Sequence, residues 1–335
     1  MESPVVTYSR NVFIPVTNVC RNMCDYCGFR RDPENGWLME PEEIIALAAR
    51  AAGDGCSEAL ITLGERPEIY PGYRHRLMRL GYETTVDYLE DICKLLLRMG
   101  LLPHTNAGVI TREEMKRLRR YNASMGLMLE CAVELPAHRK SPGKKPELRL
   151  EVLRMAGELK IPFTTGLLIG VGESRKDRLT SLLRIRDVHE QFGHIQEVII
   201  QPFAPKDGTP MAGWSPPPFS EVLWTVRRAR EILPDVGVQV PPNLIGDLTA
   251  SVPLLLRAGA SDFGGISTIT PDFINPEHPW PKIEELRTIV ERSGFLLRER
   301  LPIYPRFVRD ARFMSEEVRE AVIRLADENG YRRSG

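Results

Sequence analysis

Three cysteines, Cys20, Cys24 and Cys27, stand within eight residues of the chain in the spacing C-x3-C-x2-C. They directly follow an apolar, strand-like run at Val12–Thr17. Three thiolates on one short loop can hold three irons of a four-iron cluster, whereas cluster sites usually have four cysteine ligands. The missing fourth ligand leaves one iron open to bind another molecule. The spacing therefore predicts a 4Fe-4S cluster that takes part in chemistry on a bound molecule.

The cysteine motif is also compatible with a zinc site or with a chance cluster of core cysteines. Structural zinc sites use four ligands, typically as two separated pairs, but the next cysteine is only Cys56. A chance cluster is possible because free cysteine often behaves as a small core residue. A disulfide framework is disfavoured, since six cysteines among 335 residues are sparse. The patterns around Cys56, Cys93 and Cys131 predict structural roles.

Charge and hydropathy disfavour several classes of protein. The 45 basic and 45 acidic side chains balance, which argues against nucleic acid as the main partner. No apolar stretch approaches the roughly 18 residues needed to span a bilayer, so no membrane association is predicted. The first residues lack the charged start and apolar core of a secretion signal. We therefore expect a cytoplasmic protein, in a reducing compartment that suits an iron–sulfur cluster.

Strand-like and helix-like segments alternate along the chain. The predicted strands are Val12–Thr17, Ala59–Leu63, Leu101–Asn106, Met125–Glu130, Phe163–Ile169, Glu197–Gln201, Gly237–Val240 and Asp262–Ile266. Amphipathic helices are predicted between them, among others at Pro41–Ala52, Thr84–Met99, Arg112–Tyr121, Glu147–Lys160, Ser174–Phe192 and Phe219–Leu233. Such alternation implies parallel strands joined by crossover helices.

The predicted fold class is α/β, namely a (β/α)8 barrel of the TIM type, with an open six-stranded sheet as the alternative. The barrel is expected over residues 1–306, and a short C-terminal helical extension of the same domain over residues 307–335. Active sites of such barrels lie at the carboxyl ends of the strands. Polar residues follow each predicted strand there: Glu65, His104, Asn106, Glu130, Glu173, Gln201, Asn243 and Ser267.

The cysteine motif after a first barrel strand, with Tyr26 just before its last cysteine, resembles that of the radical S-adenosylmethionine (SAM) enzymes. The segment Leu63–Glu65 resembles their Gly-Gly-Glu element with one glycine replaced, and Gly166–Glu173 resembles their Gly-x-Ile-x-Gly-x-x-Glu element. The resemblance implies that SAM binds the open iron and is reduced to methionine and a 5′-deoxyadenosyl radical. The implied SAM contacts are Tyr26, Gly64, Glu65, Glu130, Arg149, Gly170, Glu173 and Gln201.

Several longer segments, among them Thr62–Glu68, Leu102–Gly108 and Ser141–Lys144, are similar to the ring-closing subunit of deazaflavin synthase. The resemblance extends from about Tyr8 to Arg306. It implies a substrate in which a partner subunit, also a radical SAM enzyme, has joined a tyrosine-derived 4-hydroxybenzyl group to 5-amino-6-ribitylaminouracil. Hydrogen abstraction, ring closure and release of ammonia would give 7,8-didemethyl-8-hydroxy-5-deazariboflavin, a precursor of coenzyme F(420). A donor such as ferredoxin or flavodoxin would supply the electron.

Polar side chains at the barrel mouth suit that substrate. The predicted contacts are Asn106, Gln201 and Asn243 for the uracil ring and Asp262, Ser267 and Thr268 for the ribityl chain. His104 is the candidate proton carrier, because free histidine titrates near neutral pH. The rival interpretations are the partner subunit itself, a metal-binding module without turnover, and another radical enzyme related to biotin synthase or to the menaquinone pathway.

Overall fold

The structure, a computed structural model, describes residues 3–333 and contains a closed barrel of eight parallel strands. The strands are β1 (Val5–Thr17), β2 (Glu58–Leu63), β3 (Leu102–Asn106), β4 (Ser124–Gly126), β5 (Phe163–Ile169), β6 (Ile195–Pro202), β7 (Gly237–Gln239) and β8 (Asp262–Ile266). Each strand pairs with its neighbours in sequence, and β1 pairs with both β2 and β8. The predicted (β/α)8 barrel is confirmed, and the open six-stranded alternative is wrong.

Helices occupy the crossovers and the C-terminal segment. They are α1 (Pro41–Gly53), α2 (Pro71–Arg79), α3 (Thr85–Arg98), α4 (Arg112–Arg119), α5 (Pro146–Glu158), α6 (Arg175–Phe192), α7 (Phe219–Ile232), α8 (Leu248–Ala258), α9 (Ile283–Arg292), α10 (Pro305–Val308) and α11 (Glu316–Leu325). Among residues 3–333, no helix is both long enough and apolar enough to cross a membrane. The outermost residues of the predicted domain, 1–2 and 334–335, lie outside the described part.

The first strand is longer than its apolar run indicates. It begins at Val5, and its first five residues pair with an unpredicted strand, β9 (Leu296–Arg300). Because β8 occupies one edge of β1, β9 must use the edge that β2 takes further along the strand. The C-terminal segment is therefore joined to the barrel by a full set of main-chain pairs.

The fourth strand is shorter than predicted. Regular structure ends at Gly126, and Glu130 has φ = 63°, in the left-handed region that side chains other than glycine seldom adopt. The irregular segment still bonds to β5: the Leu127 N–H donates to the Thr164 carbonyl at 3.0 Å and the Glu130 N–H to the Gly166 carbonyl at 2.8 Å. Glu130 is thus fixed by the sheet without belonging to a strand.

The core fills the space between the barrel strands and the helices around them. In α3, Leu89, Ile92 and Leu96 are buried at spacings of three and four residues, as expected for one apolar helix face. Cys93 is buried on the same helix, and Cys56 and Cys131 are buried elsewhere. All three are buried among apolar residues, and Cys131 belongs to a small cluster against which Tyr26 of the cysteine loop packs.

Candidate active site

The cysteine loop covers the carboxyl ends of the strands and opens onto a cavity of about 400 Å³ inside the barrel. Most of the predicted site residues line this cavity: Cys20, Cys24, Tyr26, Cys27, Gly64, Glu65, His104, Asn106, Glu130, Arg149 and Gln201. They come from β3 and β6, from the loops after β1, β2 and β4, and from α5. The parallel topology therefore gathers residues that are almost two hundred positions apart in sequence.

Main-chain hydrogen bonds hold the cysteine loop against its neighbours. The Arg21 N–H donates to the Glu65 carbonyl at 2.9 Å, which joins the loop to the end of β2. The Asp25 N–H donates to the Ala137 carbonyl at 3.0 Å, which joins it to the segment after β4. The loop is consequently fixed on both sides before any cofactor binds.

Two of the three thiols accept hydrogen bonds from the surrounding protein. The Cys20 Sγ accepts from the N–H groups of Glu65, at 3.2 Å, and Asn22, at 3.4 Å. The Cys24 Sγ accepts from the Ser141 hydroxyl at 3.3 Å. Hydrogen bonds to sulfur are among the means by which proteins orient and tune metal ligands. The donors therefore suit thiolates that bind an iron–sulfur cluster.

Burial controls the protonation of these sulfurs. It raises the pKa of the Cys20 and Cys24 thiols, against the opposing effect of their hydrogen-bond donors. Cluster ligands must be thiolates, so cluster binding at this loop would release protons. Within the described part of the chain, no three His, Cys, Asp or Glu side chains converge closely enough for a single metal ion. A four-iron cluster needs wider spacing, because each thiolate binds a different iron.

Gly64 lies directly against the main chain of the cysteine loop. A Cβ at this position would overlap with the Val19 carbonyl, so only glycine fits. The adjacent Glu65 side chain is 3% exposed, and its carboxylate accepts from the Arg21 guanidinium at 2.8 Å and from the Val109 N–H at 3.0 Å. Glu65 therefore positions the loop through both its main chain and its side chain.

Two further glycines enclose the Glu65 carboxylate. A Cβ on Gly143 would overlap with Glu65 Oε1, and a Cβ on Gly108, which has φ = +73°, would lie 2.5 Å from Glu65 Cγ. Both glycines belong to segments whose sequence resembles deazaflavin synthase. Their physical role is to let two loops approach the same carboxylate.

Glu130 is the centre of a charged cluster at the cavity mouth. Its carboxylate contacts the Tyr26 hydroxyl and the Lys144 ammonium, and it lies 3.0 Å from His138 Nε2 and 3.7 Å from Arg149 Nη1. Burial alone would raise the pKa of Glu130, but Lys144, Arg149 and His138 hold it well below its usual range. Glu130 is therefore a buried, ionised carboxylate that links the cysteine loop to the loop before α5.

Arg149 is 3% exposed and lies beneath the mouth. Its Nε donates to the Gly143 carbonyl at 3.0 Å, and its Nη1 donates to the Met128 carbonyl. Its burial and these bonds show that Arg149 is not a solvated surface charge. The guanidinium supplies a fixed positive charge next to the cysteine loop.

The cavity wall below the mouth is polar but uncharged. The His104 Nδ1 is 2.7 Å from the Ser124 hydroxyl, and burial, with a further effect of Arg300, lowers the pKa of His104 to about 3. The imidazole is therefore neutral at neutral pH. Asn106 and Gln201 line the same wall, and Gly126 leaves space for the Asn106 amide, which a Cβ would fill.

The glycine-rich element after β5 does not reach the cavity wall. Gly170 has φ = +95°, and its N–H donates to Glu173 Oε1 at 2.8 Å, while the Val171 N–H donates to Oε2 at 2.8 Å. Arg178 Nε donates to the same carboxylate at 2.8 Å. Glu173 thus stabilises the turn that leads into α6.

The remaining predicted substrate contacts, Asn243, Asp262, Ser267 and Thr268, also lie outside the cavity wall. Asp262 is fully buried and accepts from the Arg300 guanidinium at 2.6 and 3.0 Å. Asn243 and Ser267 each bond to a side chain of the loop after β8. The structure therefore does not bring these four residues together with the cysteine loop.

Several polar residues that line the cavity were not predicted as site residues. Lys144 contacts Glu130 at the mouth, and Glu58, Glu197, Gln239 and Arg300 lie deeper. His138, which does not line the cavity itself, contacts Glu130 from behind. A charged residue at an inward position of an otherwise apolar parallel strand is a usable signal, because such strands are normally apolar throughout. That signal could have identified Glu58 on β2 and Glu197 on β6.

Comparison with known proteins agrees with these features. The Radical SAM superfamily profile matches residues 14–185. The 7,8-didemethyl-8-hydroxy-5-deazariboflavin synthase of Archaeoglobus fulgidus is 52% identical over 98% of this chain and 99% of its own length. The protein of the same name from Methanococcoides burtonii is 53% identical over 98% of both chains.

Among solved structures, methylornithine synthase superposes with a TM-score of 0.66 over 87% of this chain and 83% of its own, at 20% identity, which supports the fold alone. The profile match and the two full-length relatives support membership of a family as well. This chain belongs to the radical SAM superfamily and, within it, to the family of 7,8-didemethyl-8-hydroxy-5-deazariboflavin synthases.

Proposed function

We propose that this protein is a radical SAM enzyme that closes the third ring of 7,8-didemethyl-8-hydroxy-5-deazariboflavin. The observation that carries this proposal is the three-cysteine loop opening onto a polar cavity inside the barrel, in a chain about half identical to synthases of that name. Its substrate would be the adduct of a 4-hydroxybenzyl group with 5-amino-6-ribitylaminouracil. Ring closure would release ammonia, which makes the reaction a lyase reaction.

The cysteine loop suits a resident cluster. Cys20, Cys24 and Cys27 would hold a 4Fe-4S cluster, and the hydrogen bonds to the Cys20 and Cys24 sulfurs would fix its orientation. When bound, such a cluster supplies the electron that cleaves SAM to methionine and a 5′-deoxyadenosyl radical. A ferredoxin or flavodoxin is the proposed source of that electron.

The charged cluster at the mouth would position SAM. The ionised Glu130 can accept hydrogen bonds from an ammonium or from ribose hydroxyls, and Arg149 can attract a carboxylate. The Tyr26 hydroxyl contacts Glu130, so the Tyr26 ring lies between the main chain of the cysteine loop and Glu130. There it can border the adenine. Glu65 would act mainly by holding the loop, because its carboxylate is already bonded to Arg21 and Val109.

The wall below would hold the uracil ring. Asn106 and Gln201 offer amide donors and acceptors that match the alternating groups of a uracil. His104 is neutral at neutral pH. In this state its imidazole can hydrogen-bond to the uracil ring, but it lacks the second ring proton that a general acid would give up. Leu60, Leu127 and Ile199 provide the apolar surface against which an aromatic ring can lie.

The decisive experiment is anaerobic reconstitution with iron and sulfide, followed by mixing with SAM, dithionite and the synthetic adduct. We expect 5′-deoxyadenosine and a fluorescent deazaflavin. Replacing Cys20, Cys24 and Cys27 by Ala should abolish both products, while Cys56→Ala, a buried cysteine outside the loop, should retain them.

Two results would contradict the proposal. Formation of the adduct from tyrosine and 5-amino-6-ribitylaminouracil, without deazaflavin from the adduct, would identify the chain as the partner subunit. Protein that contains zinc and no labile sulfide after reconstitution would indicate a metal-binding module.

A further inference from the structure

The cavity continues along the barrel axis to a second polar region. Successive inward positions of β6, namely Glu197, Ile199 and Gln201, all line it, as do Glu58 and Leu60 of β2. Four residues of strand separate Glu197 from Gln201, which corresponds to about 13 Å. The cavity therefore has a floor, well below the cysteine loop, that the proposed SAM contacts do not reach.

The floor holds more carboxyl groups than positive charges. Glu58 and Glu197 line the floor, Asp262 is buried directly behind it, and Arg300 is the guanidinium that faces all three. Arg300 donates two hydrogen bonds to Asp262, at 2.6 and 3.0 Å, and a longer one to Glu197 Oε2, at 3.3 Å. The Glu58 carboxylate accepts from the Ser9 hydroxyl. One guanidinium thus serves three carboxyls, with most of its contact made to Asp262.

One oxygen of this group has no partner within the protein. Glu197 is 3% exposed, and nothing in the stretch from residue 3 to residue 333 hydrogen-bonds to its Oε1. A buried polar oxygen without a partner is unfavourable by about 1–3 kcal/mol, so such groups usually bind water or a ligand. Because Glu197 lines the cavity, a rotation of its carboxyl would turn this oxygen toward a molecule bound there.

The chemistry of the floor suits hydroxyl groups. Burial raises the pKa of Glu197 to about 8, so at neutral pH its carboxyl can both donate and accept. Gln239 also lines the floor, and its amide packs against Gly264, where a Cβ would overlap with it. Hydroxyls, which donate and accept at the same atom, match a mixed set of carboxyl and amide groups better than an aromatic ring does.

We propose that Glu58, Glu197 and Gln239 form a subsite for the polyhydroxyl chain of the substrate. The inference rests on the proposed function, which supplies a substrate with a reacting aromatic end and an unreactive ribityl chain. The reacting end must lie near the cysteine loop, and the apolar middle of the cavity suits its rings. The hydroxylated chain then extends to the floor, where it meets the free oxygen of Glu197.

The test compares two adducts that differ only in this chain, one carrying ribityl and one carrying an unsubstituted pentyl group. kcat/KM for deazaflavin formation is measured with the wild-type enzyme, Glu197→Leu, and the control Glu190→Leu on the exposed surface of α6. We expect the wild type to prefer the ribityl adduct by at least about 10-fold. Glu197→Leu, which removes both the donor and the acceptor, should lose about 10–100-fold with the ribityl adduct and less than about 3-fold with the pentyl adduct.

Two outcomes overturn the inference. A wild-type enzyme that uses both adducts equally well does not recognise the hydroxyls, and an equal loss with both adducts assigns Glu197 a structural role. Gln239→Ala replaces Glu197→Leu in the same comparison if the latter fails to fold. Failure of the proposed function has a separate signature, because the wild type would then form no deazaflavin from either adduct.

Discussion

The mouth and the floor of the cavity both contain buried glutamates, but their electrostatic surroundings are opposite. At the mouth, Lys144, Arg149 and His138 surround the single carboxylate of Glu130 and keep its pKa well below the usual range. At the floor, three carboxyls share one arginine, and burial raises the pKa of Glu197 to about 8. Burial is similar in the two places, so the number of neighbouring cations decides the protonation state.

Because of this difference, the two regions of the cavity can bind different kinds of chemical group. A carboxylate fixed in its ionised form can hold charged groups such as an ammonium, which the proposed SAM site requires. A carboxyl that keeps its proton can exchange hydrogen bonds with neutral hydroxyls. Removal of one charged partner from each region tests this difference.

The largest effect is expected at the mouth. Glu130→Gln leaves Lys144 and Arg149 as buried cations without a counter-charge, which should lower the free energy of unfolding by about 3–5 kcal/mol. Urea unfolding monitored by circular dichroism measures this loss. The control is Glu134→Gln, an exposed residue four positions away, which should change stability by less than about 0.5 kcal/mol. Equal stability of both variants would show that the cations at the mouth do not depend on Glu130.

A smaller effect, dependent on pH, is expected at the floor. Arg300→Met removes the guanidinium, and we expect a loss of about 3 kcal/mol at pH 8. The loss should fall to about half at pH 6, because carboxyls can bind protons and become neutral. Arg149 cannot lose its charge in this way. The loss of unfolding free energy in Glu130→Gln should therefore be the same at pH 6 and pH 8. A defect of Arg300→Met that is the same at both pH values would contradict the proposed sharing of one guanidinium.

The smallest effect concerns the proton on Glu197. Its pKa lies at about 8 in the folded protein against 4.5 for the ordinary side chain, so between these values the folded state holds a proton that the unfolded chain has lost. The free energy of unfolding should therefore fall as pH rises through this range. Glu197→Gln cannot titrate, and its curve should be flatter by about 1 kcal/mol between pH 6 and pH 7. Parallel curves for the variant, the wild type and Glu190→Gln would show that Glu197 is ionised.

The mouth and the floor also differ in how well they could be predicted from the sequence. The cysteine loop has a short, local spacing, and eight alternating segments indicate a barrel, so both were predictable. The floor has no local motif, because Glu58, Glu197 and Arg300 come from three distant strands and meet only through strand register. The predicted end of β4 at Glu130 was wrong. The left-handed main chain at Glu130 cannot be recognised from the apolar residues that precede it in the sequence.

The residues that follow the strands were predicted as site residues from their position in the sequence alone. That position does not determine which of their side chains face the cavity. Gln201 does so because it shares the inward register of β6 with Glu197. Asn243 follows a short strand and bonds to Asp272 in the loop after β8, and Ser267 bonds to Thr270 within that same loop. Glu173 is turned away by the glycine-rich turn that it stabilises.

The position of Arg300 also constrains the order of events during protein synthesis. Glu58 and Glu197 emerge from the ribosome long before the β9 residue that faces them, and Asp262 emerges 38 residues before it. A nascent chain lacking β9 would have to enclose three carboxyls without their guanidinium, and it would lack the pairing partner of the first residues of β1. Completion of the barrel interior therefore awaits translation of β9, after most of the helices have been made.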